Sequence, residues 1–283
     1  MRSAGWELLV LLSSFTLLTP VPAAAHGAIH EQIAEITQQI GEDPSNARLY
    51  VRRGELHSEH GDWRAALGDY HRAGQLDPDL IIVDLARGRT LFNAGQYHDA
   101  KEALDRFLVG EPRHVEAQIF RARTLAQLGQ LDASIADYTY AIANVARLGQ
   151  QIPDYYMERA RLTAARGRDY VLVALRGLDE GMAALGPLVT FQLYAIELEL
   201  SVGRTEAALA RLDSVAAQQA HRPEVWLARR GEILEYAGRT DNARAAYEQA
   251  LAAIDALPPR HRKTRATLEL ETRLRRALAP LQR

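Results

Sequence analysis

The chain has 283 residues, of which 47% are hydrophobic and 25% are charged, a composition typical of a globular protein and too apolar for a disordered one. Its 34 basic and 36 acidic side chains give a net charge of −2. This balance argues against a dedicated nucleic-acid binder, because such proteins need a net basic surface. Cysteine is absent, which excludes disulfides, thiolate metal sites and cysteine nucleophiles.

The first 25 residues have the pattern of a Sec-type secretory signal peptide. Arg2 precedes an apolar run over 8–18, and Ala23 to Ala25 supply the small residues that a signal peptidase reads. The run is shorter than the roughly 20 residues that span a bilayer, so we predict cleavage after Ala25 and no integral membrane span in the mature chain. The alternative is a retained anchor. We expect the mature protein in the periplasm or outside the cell, in a Gram-negative cell envelope.

Residues 26–46 are expected to form an N-terminal capping helix. Ile33, Ile36 and Ile40 recur at helical spacing, and Asp43-Pro44 closes the segment. The isoleucine face would cover the first element of the next segment.

Residues 47–257 repeat with a period of about 34. Residues of the same class recur at Gly54 and Gly88, Gly61 and Gly95, Trp63 and Tyr97, Ala66 and Ala100, and Pro78 and Pro112. Six units are legible, near 47–80, 81–114, 115–148, 153–188, 189–222 and 224–257. The fourth unit carries about two extra residues before Ala174, and the fourth and fifth units are the least regular.

Each unit is predicted to form two helices. In the first unit Gly61-Asp62 separates them, and Asp77-Pro78 ends the second. Small residues such as Gly54 allow the two helices to approach closely. A helix pair of this length is marginal alone, so the units must fold as a stack. Pro258-Pro259 ends the sixth unit, and residues 258–283 are expected to supply a C-terminal capping helix.

This pattern resembles the tetratricopeptide repeat family. The resemblance is carried by Tyr50 to His57 followed by Gly61 to Pro78, and again by Trp226 to Gly231 followed by Gly238 to Ala243. It implies an all-α, right-handed superhelical solenoid of antiparallel helix pairs, with six repeats and terminal capping helices. It also implies a non-enzymatic scaffold that binds partner proteins. The alternative fold is an irregular helical bundle.

Catalytic templates are absent from the sequence. No Gly-rich phosphate loop or GxSxG elbow occurs, and His30-Glu31 is followed by Ala34 where a metalloprotease helix requires its second histidine. Acidic side chains lie at pairing distance from arginines on helix exteriors. We therefore predict no enzyme activity and no cofactor, the alternative being a carboxylate pair that only the fold brings together.

Histidine supports one alternative function. Cleavage would leave His26 at the N-terminus, where its amine and imidazole together offer ligands to copper or zinc, and His30 follows one helical turn later. His57 and His60 could form a second pair. The alternative function is a periplasmic copper- or zinc-binding protein. Against it, His57 occupies a repeat position at which an aromatic residue commonly packs, so the main interpretation assigns no metal site.

The first helices of stacked pairs line the concave side of an array, so their free face is the predicted binding surface. The ninth residues of the six units are Glu55, Arg89, Arg123, Arg161, Glu197 and Glu232. This stripe has a basic middle and acidic ends. The candidate groove residues are Leu85, Arg89, Phe92, Asn93, Ile119, Arg123, Gln127, Met157 and Arg161.

The predicted ligand of this groove is a protein or peptide, and no nucleic acid. The planar guanidinium of arginine donates two hydrogen bonds to a carboxylate, which favours an acidic segment or a free C-terminus. The alternative is that Glu55 pairs with Arg89 and Glu197 with Arg161, which would give the stripe a purely structural role. Family members that clamp a chaperone C-terminus use a set of Lys and Asn residues on the first helices. Val51 and Glu55 stand where that set would begin, so this sequence does not carry that clamp.

Overall fold

The computed structural model describes residues 23–219 and 221–281. The predicted signal peptide lies outside these residues, apart from its last three positions. All regular elements in the described ranges are helical. The chain divides into two compact units, with the boundary between Tyr155 and Tyr156.

The first unit contains an N-terminal helix and three helix pairs. The helices are α1 Ala23–Glu42, α2 Ala47–His60, α3 Trp63–Leu76, α4 Ile82–Asn93, α5 Tyr97–Gly110, α6 Val115–Gln127 and α7 Leu131–Arg147. Helix α1 packs on α2, and because it begins at Ala23 it runs across the predicted cleavage position. The first helices α2, α4 and α6 lie side by side.

The turn between α2 and α3 shows why these residues end one helix and begin the next. Gly61 has a φ of 86° and ends α2 in the left-handed conformation that glycine adopts without strain. The Asp62 N–H donates to the His57 carbonyl at 2.8 Å. The Asp62 side chain then accepts a hydrogen bond from the Ala65 N–H at the start of α3.

Close helix approach within a pair depends on glycine. A Cβ atom placed on Gly54 would lie 2.5 Å from the ring of Tyr70, which is only 1% exposed. One period later, a Cβ on Gly88 would lie 2.6 Å from Leu104. The large side chain of the second helix therefore occupies the space that glycine leaves on the first.

A repeated ion pair links the two helices of a pair. The Arg53 guanidinium donates to both carboxylate oxygens of Asp69, at 2.9 and 2.7 Å. The same bidentate contact recurs between Arg121 and Asp137, at 2.7 and 2.8 Å. In the second repeat Arg87 holds the arginine position, but Ala103 replaces the aspartate.

The second unit continues the pattern of helix pairs and adds C-terminal helices. Its elements are α8 Pro153–Ala165, the 3₁₀ turn Arg168–Tyr170, α9 Val171–Leu185, α10 Val189–Ser201, α11 Thr205–Gln218, α12 Pro223–Tyr236, α13 Thr240–Asp255, α14 Pro259–Arg262 and α15 Arg265–Leu281. The first turn of α8 contains the boundary between the units. The extra residues of the fourth repeat form the 3₁₀ turn, which follows Gly167 with its φ of 123°.

The C-terminal helix closes the second unit. Leu270, Leu274 and Leu278 of α15 are buried and belong to the same apolar cluster as Tyr247 and Ile254 of α13. Within each unit, helix pairs that follow one another in the chain pack together, which distinguishes these arrays from an irregular bundle. The predicted all-α solenoid of antiparallel helix pairs is confirmed.

Candidate functional site

The candidate surface is the exposed face of α2, α4 and α6, which we call the first-helix face. Helix α4 contributes Arg89, Phe92 and Asn93, and α6 contributes Arg123 and Gln127. Asn93 and Gln127 are exposed, whereas Arg89, Phe92 and Arg123 are half-buried. The structure therefore brings five of the nine predicted groove residues to one accessible face of the first unit.

Three predicted groove residues are inaccessible. Leu85 and Ile119 are each 3% exposed, and Met157 in the second unit is 9% exposed. Leu85 packs with Leu104 and Phe107 of α5. The prediction that these side chains offer an apolar contact surface is wrong, because packing against neighbouring helices already removes them from water.

Arg89 pairs with Glu116, whereas the alternative interpretation of the sequence pairs it with Glu55. Its Nη1 lies 3.3 Å from Oε1 of Glu116 at the start of α6, not against Glu55. The guanidinium also lies over the ring of Phe120, 5.7 Å from its centroid. Phe92 meets the same ring edge-on, with centroids 5.7 Å apart. Arg89 thus belongs to an aromatic and charged contact between α4 and α6.

Arg161 is exposed and belongs to the second unit. It lies over the ring of Tyr194, 5.8 Å from the centroid. It forms no ion pair with Glu197 in the part of the chain that the structure describes. Burial raises the pKa of Tyr194, and the Arg161 charge opposes that rise. Among the described residues, Arg161 therefore contacts an aromatic ring and does not pair with Glu197.

A polar cavity of about 230 Å³ lies between α2 and α4. It is lined by Glu55, Ser58, Glu59, Tyr70, Ala86, Arg89, Thr90 and Asn93. At its base, Thr90 Oγ1 lies 2.8 Å from Ser58 Oγ and 3.5 Å from Tyr70 Oη. Burial raises the pKa of Tyr70 to about 12, so the phenol stays neutral and the base of the cavity consists of hydroxyl groups.

Glu55 is a half-buried carboxylate in the wall of this cavity. Burial raises the pKa of its carboxyl group, the Arg89 charge lowers it, and the Glu59 and Glu116 carboxylates raise it further. No hydrogen bond or ion pair to Glu55 occurs among residues 23–219 and 221–281. A half-buried carboxylate in this state favours any ligand that brings a positive charge.

Spacing along the two helices is the sequence signal that could have revealed the cavity. Glu55, Ser58 and Glu59 recur at i, i+3 and i+4 on α2. The facing positions of α4 read Ala86, Arg89, Thr90 and Asn93, again at helical spacing. Two polar stripes that face each other across a small alanine leave room for a ligand. The sequence prediction named Glu55, Arg89 and Asn93 of this cavity, but it did not include Ser58, Glu59 or Thr90.

The histidines of the alternative metal site are only partly brought together. The rings of His30 and His60 are in contact, with centroids 4.6 Å apart, and His57 is half-buried one turn before His60. The side chain of His26 lies outside the described residues. Within the described part, no group of three or more metal-binding side chains occurs. A pair of imidazoles alone does not complete the usual ligand set of a zinc site.

Sequence comparison matches this chain to tetratricopeptide repeat models in two places. Residues 85–151 match a tetratricopeptide repeat, and residues 173–269 match a tetratricopeptide repeat-like domain. The chain belongs to the tetratricopeptide repeat family. Membership indicates a protein–protein interaction scaffold, and proteins of this family are typically non-enzymatic. No helix among the described residues is long and apolar enough to cross a membrane.

Curated relatives match only part of this tetratricopeptide repeat chain. DnaJ homolog subfamily C member 3 of Rattus norvegicus is 29% identical over 126 residues, which are 42% of this chain and 25% of that protein. The SGT1 homolog of Oryza sativa is 34% identical over 76 residues, 26% of this chain and 21% of that protein. The matches thus span a quarter or less of these relatives.

Solved structures share the fold at low sequence identity. The C-terminal part of a TPR repeat-containing protein from Cytophaga hutchinsonii has a TM-score of 0.64 at 14% identity, covering 87% of this chain and 95% of that one. A tetratricopeptide repeat protein from Parabacteroides merdae has a TM-score of 0.51 at 16% identity, covering 89% and 94%. PilW, a type IV pilus biogenesis factor, has a TM-score of 0.53 at 17% identity, covering 69% and 87%.

Proposed function

We propose that this chain is an exported, non-enzymatic scaffold of the cell envelope that captures an extended segment of a partner protein on the first-helix face. One observation carries the proposal. A row of accessible hydrogen-bonding side chains runs over α4 and α6 beside the polar cavity, and it includes Arg89, Asn93 and Gln127. Such a row suits an extended peptide, whose backbone needs both donors and acceptors.

The chemistry of the row supports a mixed polar and aromatic contact. Asn93 and Gln127 each carry an amide that both donates and accepts. Phe92 and Phe120 form a half-buried aromatic pair beside them, and aromatic side chains are common anchors in interfaces. A partner segment would thus meet hydrogen-bonding groups and an apolar anchor on one surface.

An acidic side chain or a C-terminal carboxylate of the partner is the proposed ligand of the arginines. The Arg89 and Glu116 side chains are 41% and 47% exposed, and an exposed ion pair contributes little to stability. A partner carboxylate can therefore take the place of Glu116 at small cost. Arg123 lies one repeat further along the same face and extends the basic stretch.

The test of this surface is charge reversal at both arginines. We expect the Arg89→Glu, Arg123→Glu variant to lose the partners that wild type captures by crosslinking in the envelope fraction, while its circular dichroism spectrum stays helical. Arg64 on α3 and Arg113 before α6 are exposed, so Arg64→Glu with Arg113→Glu is the control of equal charge change. Equal capture by the two double variants would exclude the first-helix face as the binding surface.

Export rests on the leader pattern and has its own test. N-terminal sequencing of the protein recovered from cell fractions should find His26 at the N-terminus and the protein outside the cytoplasm. Recovery of the uncleaved chain in the cytoplasm would contradict export and leave the proposed binding surface unaffected.

A further inference from the structure

The charges around the cavity between α2 and α4 are unbalanced. Glu55 lines its wall and Glu59 its exposed edge, one helical turn further along α2. Glu116 adds a third carboxylate close enough to raise the pKa of Glu55. Arg89 is the single cation among the cavity residues, and Glu116 already holds it. The local charge is therefore negative, and a ligand cation would be attracted.

The position of Arg89 leaves the space beside Glu55 open. Its guanidinium is anchored toward α6, by Glu116 at 3.3 Å and by the ring of Phe120 at 5.7 Å. No ion pair joins it to Glu55 in the described residues, so the Glu55 carboxylate still has its full capacity to accept hydrogen bonds.

The remaining polar groups of the cavity include several acceptors. Ser58 and Thr90 carry hydroxyl oxygens, and the Asn93 side chain carries an amide oxygen. Ammonium and guanidinium groups only donate hydrogen bonds, so they match acceptors in this arrangement. The volume of about 230 Å³ is below the roughly 300–1,000 Å³ of a site for a whole small molecule, and it suits one inserted side chain.

We propose that this cavity binds a lysine or arginine side chain of the captured partner segment, with Glu55 as its principal carboxylate. The inference rests on the proposed function, because it assigns a specificity to part of the same first-helix face. The partner segment then has a defined order of charge. A basic residue lies at the α2–α4 cavity, and acidic groups lie toward Arg123 on α6.

The affinity of the cavity for a cationic side chain should depend on pH through Glu55. The cation favours the ionised carboxylate, whereas burial disfavours it. Protonation of Glu55 would remove the attraction, so affinity should fall as the pH is lowered through the raised pKa of this group.

The experiment is a selection from a phage-displayed library of random 12-residue peptides on the purified full-length protein. Wild type, Glu55→Gln and Glu55→Lys are compared, with Glu102→Lys as the control for added charge, because Glu102 is exposed on the second helix α5. We expect wild type and Glu102→Lys to select peptides with lysine or arginine at one aligned position. The strongest such peptide should bind Glu55→Gln about tenfold more weakly, the effect of one lost charged hydrogen bond.

Each outcome separates this inference from the proposed function. Selection of acidic residues at that position by Glu55→Lys would support both. Enriched peptides with no basic position, or an unchanged preference in Glu55→Gln, would overturn the assignment of the cavity to a basic side chain and leave segment capture standing. Failure of wild type to enrich any peptide would overturn segment capture, and the pocket with it. Circular dichroism verifies that each variant is folded. If Glu55→Lys does not fold, the comparison of wild type with Glu55→Gln still tests the inference.

Discussion

At the scale of single residues, the close packing of the two helices of a pair depends on glycine, which has no side chain. Gly54 on α2 faces the ring of Tyr70, and the space for a Cβ atom is taken. Gly68 on α3 has no neighbour within 4 Å of the equivalent point and is exposed. These two glycines lie in the two helices of one pair. Alanine substitutions at both positions therefore distinguish the destabilisation caused by crowding from the stabilisation caused by higher helix propensity.

We expect Gly54→Ala to destabilise the protein and Gly68→Ala to stabilise it. The first change forces Tyr70 to move, and overpacking of this kind typically costs about 1–3 kcal/mol. The second gains about 0.5–1 kcal/mol because alanine is the better helix former. Urea denaturation of both variants checks the prediction. Stabilisation by Gly54→Ala would mean that the ring of Tyr70 yields without strain.

Glu55 gives a residue-scale prediction about pH. Because burial raises the pKa of this carboxyl group in the folded chain, the folded state binds the proton more tightly than the unfolded state does. The contribution of Glu55 to the free energy of unfolding therefore decreases as the pH rises from its pKa of about 4.3 in the unfolded chain through its raised pKa in the folded chain. The free energy of unfolding of Glu55→Gln, relative to that of wild type, should therefore be higher at neutral pH than at pH 4. Denaturation curves at both pH values test this, and an equal difference at both would contradict it.

At the scale of helices, the contact between Arg53 and Asp69 holds α2 against α3. Asp69 is buried, and it receives two hydrogen bonds from the guanidinium. A third guanidinium nitrogen donates to Thr37 on α1 at 3.2 Å, so Arg53 connects three helices. Its hydrogen bond to Asp69 raises the pKa of Arg53, and the arginine stays charged throughout the accessible pH range.

Removal of this ion pair should loosen the first repeat. We expect Arg53→Ala and Asp69→Ala each to lower the free energy of unfolding by about 1–3 kcal/mol, the usual range for a lost charged hydrogen bond. The double variant should lose less than the sum, because the two changes remove one interaction. Arg87→Ala is the matched control, since Ala103 stands where its aspartate would be, and it should change stability by no more than about 0.5 kcal/mol. Strictly additive single effects would exclude the coupling.

Helix pairs were predictable from sequence, and the details of the binding surface were not. Gly61 and Asp62 act on the local backbone, so their turn can be recognised without knowledge of any neighbour. Leu85 and Ile119 have the repeat spacing of groove residues, but packing of adjacent helices decides that they are buried. The partner of Arg89 depends on which carboxylate the next repeat brings within reach, and Glu116 competes with Glu55 at distances that spacing along one helix does not determine.

At the scale of the whole chain, a repeat array transmits a local change mainly to its neighbours, because within each unit a helix pair contacts mainly the adjacent pairs. Gly231 on α12 lies against Tyr247 of α13 as Gly54 lies against Tyr70. We expect Gly231→Ala to raise amide hydrogen exchange in α11, α12, α13 and α15, and to leave exchange in α2 to α5 unchanged. Hydrogen-exchange mass spectrometry measures both regions in one experiment, and Gly54→Ala should give the reverse distribution. A uniform rise along the whole chain would instead indicate that the described helices unfold as one cooperative body.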